Sequence, residues 1–444
     1  MTGQIGTTAF TKRGVLRGAV TLPALPLLAA CGGPAGDQSG AGGAPKSTGP
    51  VKITYWGTQP GSPTAEPAVA EAFNKTQQDV VVTYEFQGAY ADLANKLTAA
   101  LQARTAPDVP LLSDVWWFKF FAQKMLLPLD DLMKSEKIDS KDFVEALYNE
   151  GVRDGKSYWL PFARSTPIFY YNKEAWQQAG LPDRGPRNWD EFTKEWAPKL
   201  KSGGGVQNAY GHGDNGSYIA WLFQCVIWQF GGAYSDAQFN IKIAEPNGVR
   251  AGEFYRSSVK DGWAYVPQSQ ANDFRSGLTA AIMGSTATLA AHENAAKFPV
   301  GTAFLPEGPV GFGCCTGGAG MSILTTTPAD RRAAAMKWIN YATGAGNPAF
   351  VQGTGYMPVR KSLFSGPEIT ELFRTRPNFK TAVDQLPKTK GQDAARVFVP
   401  GGDEIIGKGI ARITTNQEPA DVVFKEVAAE LTREAQPVLR QLRG

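Results

Sequence analysis

The chain has 444 residues, 43% of them hydrophobic and 11% aromatic, which is too long for one ordinary core and predicts at least two domains. The formal net charge is +4, and Lys12, Arg13 and Arg17 carry three of these charges. No basic run follows them, which argues against a nucleic-acid-binding surface. Two histidines and four cysteines, in no zinc-binding spacing, argue against a metalloenzyme.

Residues 1–30 have the layout of a secretory signal peptide. A basic start leads into an apolar run over residues 19–30, which is too short to cross a bilayer as a helix. Leu28-Ala29-Ala30-Cys31 resembles a bacterial lipobox, which implies cleavage before Cys31 and acylation of its thiol. The alternative is a chance cysteine after an apolar leader.

The export route stays open between the general and the twin-arginine pathways. Residues 11–17 resemble a twin-arginine signal, but Lys12 departs from the arginine pair. Residues 31–50 consist mainly of Gly, Ala, Pro, Ser and Thr, a composition typical of a flexible tether. The sequence therefore predicts a protein anchored to the outside of the bacterial cell membrane through a palmitoylated Cys31. A cysteine that is both diacylated and N-acylated carries more than one acyl chain, which stable anchoring requires.

Strands and helices alternate after the tether. This spacing indicates βαβ units and a mostly parallel sheet. The predicted elements are a strand at 51–56, a helix at 65–74, a strand at 80–86, a helix at 91–104 and a strand at 109–112. An Asp-Gly turn is predicted at Asp154-Gly155.

The stretch from 160 to 180 is predicted to be the crossing from one α/β lobe to another. Residues 161–165 are interpreted as a hinge segment, 168–172 as a buried strand and 173–179 as a short helix that Gly180 ends.

The elements that follow are predicted from hydrophobic periodicity and capping residues, including the capping box of Asn188-Trp189-Asp190-Glu191. They comprise helices at 188–200, 217–230, 249–260, 330–343 and from 418 onward, and strands at 282–283, 300–304 and 321–324.

Several motifs, in this order, resemble the maltose-binding-like family of extracellular solute-binding proteins that serve ABC importers. The likeness covers nearly all of residues 51–440. After the lipobox, the motifs are Tyr55-Trp56-Gly57, Phe73-Asn74, Tyr170-Tyr171-Asn172-Lys173 with Ala179-Gly180, Asn188-Trp189-Asp190-Glu191-Phe192, Gly317-Gly318 and Gly355-Tyr356-Met357-Pro358-Val359-Arg360.

The resemblance implies the type II periplasmic-binding-protein fold, an α/β architecture with two lobes joined by crossover hinge segments. Ligand would lie in the cleft between the lobes, and hinge closure would bury it from both sides. We expect lobe 1 to comprise 51–164 and 313–356, and lobe 2 to comprise 165–312 and 357–444. We expect a monomer that works with two permease subunits and an ATPase, and that needs no cofactor.

The sugar-binding and glycerol-3-phosphate-binding members of the family imply contacts at the ends of strands and in crossings. Carboxylates can accept hydroxyl donors, and aromatic rings can stack on the apolar face of a sugar. The expected ligand-binding residues are Trp56, Tyr90, Asp114, Trp116, Ser165, Tyr218, Trp221, Ser285, Gly318 and Tyr356.

Each of these residues has a structural alternative. Asp114 could be only the N-cap of a helix that begins near Trp116, Ser165 a cap or turn residue and Gly318 a turn glycine. Trp221 could be a core residue. His212 and His292 are more often loop or surface residues than ligand contacts.

Phosphate-binding members of the family place an arginine near the carboxyl terminus. This chain has Gly407 at that position, with Arg396, Lys408 and Arg412 nearby. The departure favours a carbohydrate over glycerol-3-phosphate or a glycerophosphodiester, which remain the alternative ligands.

Cys314 and Cys315 are adjacent and expected to lie outside the membrane, where they could form a strained vicinal disulfide. Free or separately paired thiols are the alternative.

A secreted hydrolase is a rival function, with Asp130-Asp131 or Asp403-Glu404 as acid and base in loops. A structural lipoprotein is a third, but the motifs favour a binding protein without catalytic activity.

Overall fold

The computed structural model of the protein describes residues 49–443 except Asn215. The predicted signal peptide, the lipobox with Cys31 and nearly all of the predicted tether therefore lie outside the described residues. The residues from Gly49 onward form one compact unit.

The strands begin where β-branched and aromatic residues cluster, as in the second of them, where three valines open the strand. In chain order they are β1 (Val51–Gly57), β2 (Val80–Phe86), β3 (Val109–Ser113), β4 (Val152–Arg153), β5 (Lys156–Ser157), β6 (Leu160–Ser165), β7 (Pro167–Asn172), β8 (Asn208–Gly211), β9 (Ala264–Tyr265), β10 (Thr279–Ser285), β11 (Val300–Ala303) and β12 (Gly317–Met321).

Helices fill most of the remaining chain. They are α1 (Ala65–Thr76), α2 (Tyr90–Ala103), α3 (Trp117–Ala122), α4 (Asp130–Ser135), α5 (Glu145–Tyr148), α6 (Lys173–Gln178), α7 (Ala197–Gly203), α8 (Ser217–Gln229), α9 (Pro246–Lys260), α10 (Gln270–Ser276), α11 (Leu289–Ala295), α12 (Ala329–Thr343), α13 (Asn347–Thr354), α14 (Lys361–Phe364), α15 (Pro367–Thr375), α16 (Lys380–Gln385), α17 (Ala394–Val397), α18 (Gly402–Thr415) and α19 (Ala420–Arg443). A π-helical segment, Glu191–Trp196, leads into α7, and the side chain of Asn188 accepts a bond from the Glu191 N–H at its start, as the capping box predicts.

The first sheet has the strand order β2-β1-β3-β12-β6. Strand β1 pairs in parallel with β2 and β3, as the βαβ spacing predicts, but β12 is antiparallel to both β3 and β6. The sheet is therefore mixed rather than mostly parallel, because a strand from much later in the chain is inserted between β3 and β6.

The second sheet has the order β11-β7-β10-β8-β9. Strand β7 is antiparallel to its neighbours β11 and β10, while β10, β8 and β9 run in parallel. Only Thr166 separates β6 in the first sheet from β7 in the second. The chain thus passes between the sheets within the stretch predicted to be a crossing, although residues 160–165 form a strand rather than an irregular hinge.

Two hydrophobic clusters form the core. Ile53, Leu97 and Trp338 are fully or almost fully buried in the first cluster, which surrounds the first sheet and also includes Ile168 and Ile282 of the second sheet. Phe169 and Ile410 are buried in the second cluster, which packs against the second sheet only. Burial on this scale is the main favourable term in folding. The lobe boundaries given above stay a prediction.

One predicted strand is wrong in its bounds. The strand expected at 321–324 is β12 (Gly317–Met321), which covers the glycines before Met321 and ends there. A side chain at Gly317, Gly318 or Gly320 would collide with Trp221, Ala163 or Trp159, so only glycine fits at these positions. The carboxyl-terminal helices α13 to α18 were not predicted. The Asp-Gly turn at Asp154-Gly155 is confirmed, with φ of 52° and 72°.

Candidate ligand-binding site

A cavity of about 370 Å³ opens where the ends of strands from both sheets meet. Ser113 and Ser165 end strands β3 and β6 of the first sheet, and Ser285 ends strand β10 of the second. Nine of the ten expected contact residues line this cavity. They are Tyr90, Asp114, Trp116, Ser165, Tyr218, Trp221, Ser285, Gly318 and Tyr356.

Trp56 is the expected contact that does not line the cavity. Its indole nitrogen, Nε1, lies 2.7 Å from Glu85 Oε2, to which it donates a hydrogen bond on the neighbouring strand. Side chains alternate along a strand, so the two neighbours of Trp56 are buried in the core while Trp56 faces the other way. Trp117 and Trp263, two further tryptophans, also lie outside the lining.

Asp114 is held in place from two sides. Its backbone N–H donates to the Gly318 carbonyl across 2.9 Å, which fixes the turn after β3 against β12. Its side-chain Oδ2 accepts a hydrogen bond from Gln392 Nε2. The N-cap alternative is wrong, because the N-cap residue of α3 is Trp116 and no side chain caps that helix.

Two polar contacts hold the tyrosines of the cavity. The hydroxyls of Tyr90 and Tyr356 lie 3.3 Å apart, and the Tyr218 hydroxyl accepts a bond of 3.0 Å from the Ser285 N–H. Burial raises the pKa of all three tyrosines, so each stays a neutral hydroxyl at physiological pH. Each can therefore donate and accept hydrogen bonds.

Trp221 forms a wall of the cavity and is 6% exposed. Its indole Nε1 donates to the Thr316 carbonyl across 3.0 Å, and its ring centroid lies 5.9 Å from that of Tyr218. A Cβ at Gly317 would come within 2.5 Å of the Trp221 ring, so only glycine allows this approach. Trp221 is thus both a well-packed residue and a cavity surface.

Three charged residues that were not among the expected ligand contacts complete the lining. Arg396, Asp403 and Glu404 line the cavity together with Ser217. The two acids lie in the first turn of α18, where a carboxylate is favoured by the helix dipole, and not in a loop. The isoleucines at 405, 406, 410 and 413 recur at helical spacing, and this signal could have revealed the helix.

Of the three basic residues Arg396, Lys408 and Arg412, Arg396 is the one that lines the cavity. It is 5% exposed and belongs to no ion pair within the described residues. Its Nη2 donates to the Ser217 carbonyl at 3.3 Å, Nη1 donates to Gln392 Oε1, and Nε is buried without a partner. Lys408 is exposed beside Glu404, and Arg412 pairs with Glu418 and Glu426.

Gly407 has a packing reason of its own. A Cβ at this position would lie 2.1 Å from the Gly216 carbonyl oxygen, so no larger residue fits the contact between α18 and the start of α8. The absence of an arginine at this position therefore does not remove the positive charge from the cavity, since Arg396 supplies it.

Both histidines are buried away from the cavity. His212 Nε2 lies 2.7 Å from Ser258 Oγ, and His292 Nε2 lies 2.9 Å from Thr288 Oγ1. Burial lowers the pKa of each histidine to about 3. They are neutral core residues rather than surface residues or ligand contacts.

The three described cysteines are free and buried. Cys225 Sγ lies 3.5 Å from Cys315 Sγ, and Gln385 Nε2 lies 3.2 Å from Cys314 Sγ. The vicinal disulfide between Cys314 and Cys315 is therefore not formed, because neighbouring core groups engage each thiol separately.

The hydrolase reading relied on two acid pairs. Asp130 and Asp131 open helix α4, and the Asp130 carboxylate accepts a bond from the Ser157 N–H, away from the cavity. Asp403 Oδ2 accepts a bond from Ser217 Oγ. In the part of the chain that the structure describes, no cluster of His, Cys, Asp or Glu side chains is suited to bind a metal ion. No helix among the same residues is long and apolar enough to cross a membrane.

Comparisons with known proteins agree with this architecture. The family model for bacterial extracellular solute-binding proteins matches residues 68–380. A binding protein of Brucella abortus is 28% identical over 307 residues, which cover 66% of this chain and 72% of that protein. The sn-glycerol-3-phosphate-binding periplasmic protein UgpB of Escherichia coli is 26% identical over 369 residues, covering 76% of this chain and 82% of that protein.

Two solved structures extend the likeness to the whole fold. UgpB of Mycobacterium tuberculosis, crystallised with glycerophosphocholine, is 40% identical to this chain, with a TM-score of 0.83. The match covers 88% of this chain and 100% of the UgpB chain. The GacH receptor of Streptomyces glaucescens, solved unliganded and with acarbose, has 22% identity and a TM-score of 0.75 over 87% of this chain and 98% of its own. This chain therefore belongs to the bacterial extracellular solute-binding proteins, the substrate-binding components of ABC transporters, and has their type II periplasmic-binding-protein fold.

Proposed function

We propose that the protein captures a glycerophosphodiester with a cationic headgroup and delivers it to an ABC permease. The observation that carries the proposal is Arg396, an almost fully buried guanidinium that lines the cavity without a carboxylate partner. A buried cation needs a counter-charge, and a guanidinium matches the geometry of a phosphate.

The rest of the lining suits the cationic end of such a ligand. Asp403 and Glu404 add negative charge, and Trp116, Tyr218 and Trp221 present aromatic rings. Quaternary ammonium groups bind to aromatic faces through cation–π interactions. The glycerophosphocholine in the M. tuberculosis relative has both a phosphodiester and a quaternary ammonium, which supports this ligand class.

A carbohydrate is the second candidate. The observation in its favour is the surface of Tyr218 and Trp221 next to the Asp114 carboxylate. Such rings stack on the C–H face of a sugar while a carboxylate accepts its hydroxyl protons.

Isothermal titration calorimetry with glycerophosphocholine, glycerol-3-phosphate and maltose distinguishes the two candidates. We expect saturable binding of glycerophosphocholine, and a loss of at least about tenfold in affinity for Arg396→Gln, because a charge-assisted contact contributes roughly 1.5–3 kcal/mol. Arg374→Gln is the matched control, since Arg374 forms an exposed pair with Glu371, and its affinity should not change.

Two outcomes would contradict this ligand class. Saturable binding of maltose without binding of glycerophosphocholine would favour the carbohydrate. Unchanged affinity for glycerophosphocholine in a folded Arg396→Gln variant would remove Arg396 from the site.

We also infer that the protein binds without turnover. Three acids line the cavity, and two of them are already bonded, Asp114 to Gln392 and Asp403 to Ser217. Asp403 and Glu404 are adjacent on one helical turn rather than on opposite sides of a ligand. Glycerophosphocholine incubated with the protein should be recovered intact. Release of free choline above the rate in buffer would contradict this inference.

For localisation, we propose that acylated Cys31 anchors a monomeric protein to the outer face of the cell membrane. The lipobox and the Gly- and Ser-rich tether support this proposal. Cys31→Ser should move the exported protein from the membrane fraction to the soluble fraction, whereas Cys225→Ser should not. A membrane-bound Cys31→Ser protein would contradict the anchor.

A further inference from the structure

The short helix that carries Arg396 cannot hold its own position. Helix α17 has four residues, Ala394–Val397, and no side chain caps its start. A helix of one turn is unstable by itself, because the conformational entropy lost in forming it exceeds what its few hydrogen bonds contribute. The place of Arg396 in the cavity wall must therefore be set by contacts with the rest of the protein.

Asp393, the residue directly before α17, makes three such contacts through its carboxylate. It accepts hydrogen bonds from Gln224 Nε2 at 2.8 Å, from the Tyr234 N–H at 2.7 Å and from Trp228 Nε1 at 3.2 Å. Gln224 is fully buried, and its Oε1 also accepts the Asp393 N–H at 3.3 Å. Hydrogen bonds to an ionised acceptor are roughly twice as strong as those between neutral groups. Asp393 is thus firmly attached to α8 and to the chain that follows it.

The backbone passes this fixed position on to Arg396. The Asp393 carbonyl accepts the Arg396 N–H at 3.0 Å, which closes the turn between the two residues. The guanidinium then extends to the first residue of α8, where Nη2 donates to the Ser217 carbonyl at 3.3 Å. Ser217 and Gln224 are about 10 Å apart along the axis of α8, at about 1.5 Å per residue. One helix therefore holds the turn at one point and the guanidinium at another.

Asp393 neither lines the cavity nor forms an ion pair within the described part of the chain. It is therefore not the counter-ion of Arg396, and any effect on the ligand has to pass through the turn. We propose that Asp393 is a positioning residue that holds Arg396 in the orientation required to bind the ligand anion. The proposal rests on the function proposed above, because it takes Arg396 as the group that binds a phosphodiester.

A double-mutant cycle measured by calorimetry with glycerophosphocholine tests the proposal. Asp393→Ala should lower the affinity at least about tenfold, because Arg396 is then free to leave the orientation in which its charged contact forms. In the Arg396→Gln background the same substitution should change the affinity by less than about twofold, since no guanidinium remains to be positioned. Asp190→Ala breaks an exposed pair with Lys194 and should leave the affinity unchanged.

The outcomes separate this proposal from the proposed function. A tenfold loss in Arg396→Gln together with unchanged affinity in Asp393→Ala would overturn the role of Asp393 and leave the function intact. An equal loss from Asp393→Ala in both backgrounds would also overturn that role, because a purely structural effect does not depend on Arg396. Absence of glycerophosphocholine binding in the wild type, or an unchanged affinity in Arg396→Gln, would overturn both proposals.

If Asp393→Ala does not fold, Asp393→Asn carries the same test. The amide oxygen can still accept from Gln224 and Tyr234, but the amide nitrogen is a donor that faces the indole N–H of Trp228. We expect a loss of at least about threefold in the wild-type background and none in Arg396→Gln. The same change in both backgrounds, or no change in either, would overturn the role of Asp393.

Discussion

At the scale of single residues, contact with the cavity rather than burial decides whether a polar side chain belongs to the scaffold or to the site. Arg396 and His212 are both buried, but His212 is enclosed by the rings of Tyr210 and Tyr255, whereas Arg396 lines a cavity. Burial disfavours a charge in both cases, yet only Arg396 can receive a counter-ion from outside.

The buried histidines predict how stability depends on pH. Because the folded-state pKa of His212 is lowered to about 3, its contribution to stability is present above the unfolded pKa near 6.5 and is lost as the pH falls towards 3. Between pH 7.5 and 5.5 the unfolded chain gains a proton that the folded protein does not, which lowers the free energy of unfolding by about 1.4 kcal/mol for each such histidine.

Urea unfolding at the two pH values checks this prediction. His212→Gln should reduce the loss between pH 7.5 and 5.5 by about 1.4 kcal/mol, since Gln can still bond Ser258 but does not titrate. Lys408→Gln, on the exposed face of α18, should retain the wild-type loss. An equal loss in wild type and His212→Gln would show that His212 does not contribute.

At the scale of elements, a buried ion pair joins β6, which leads from the first sheet to the second, to Glu150 in the turn before β4. Arg164 on β6 is fully buried and donates to Glu150 Oε2 across 2.6 Å, while Thr316, just before β12, donates to Glu150 Oε1 across 2.6 Å. The Arg164 carbonyl also accepts the Met357 N–H at 2.9 Å. Glu150 and Arg164 thereby connect three segments in the predicted hinge region.

We expect Glu150→Gln to destabilise the protein by about 3 kcal/mol or more, because it leaves the Arg164 guanidinium buried without its carboxylate. Two nitrogens of Arg164 already lack partners, so no nearby group can take over. The free energy of unfolding in urea measures the effect. Glu371→Gln breaks an exposed pair and should change stability by less than about 1 kcal/mol, and equal losses in the two variants would contradict the prediction.

At the scale of the whole molecule, the cavity exists because two sheets place their strand ends together. Ser113, Ser165 and Ser285 end strands that are far apart in sequence, and Arg396 and Asp403 come from the last quarter of the chain. A ligand in this position would touch residues carried by both sheets. This geometry suits capture by closure, as expected for the family.

The sequence by itself determined most of the local structure and much of the lining. Period-two and helical hydrophobic patterns placed β1 to β3 and α1, α2, α8 and α12 within a few residues, because those patterns reflect which face is buried. Positions at strand ends, together with the family resemblance, indicated Tyr90, Asp114, Ser165 and Tyr356, which do line the cavity.

The tertiary structure alone decided that Arg396, Asp403 and Glu404 reach the cavity, and which groups the thiols contact. Whether Trp56 or Arg396 reaches the cavity depends on side-chain direction and on helices packed from distant segments, which local patterns do not encode. The same holds for Gly407, where the carbonyl of Gly216, 191 positions earlier in the chain, leaves no room for a larger residue. It also holds for Cys315, whose thiol approaches Cys225 rather than bonding to its neighbour Cys314. Long-range packing sets these contacts, since residues remote in sequence meet only when both sheets and the carboxyl-terminal helices have assembled.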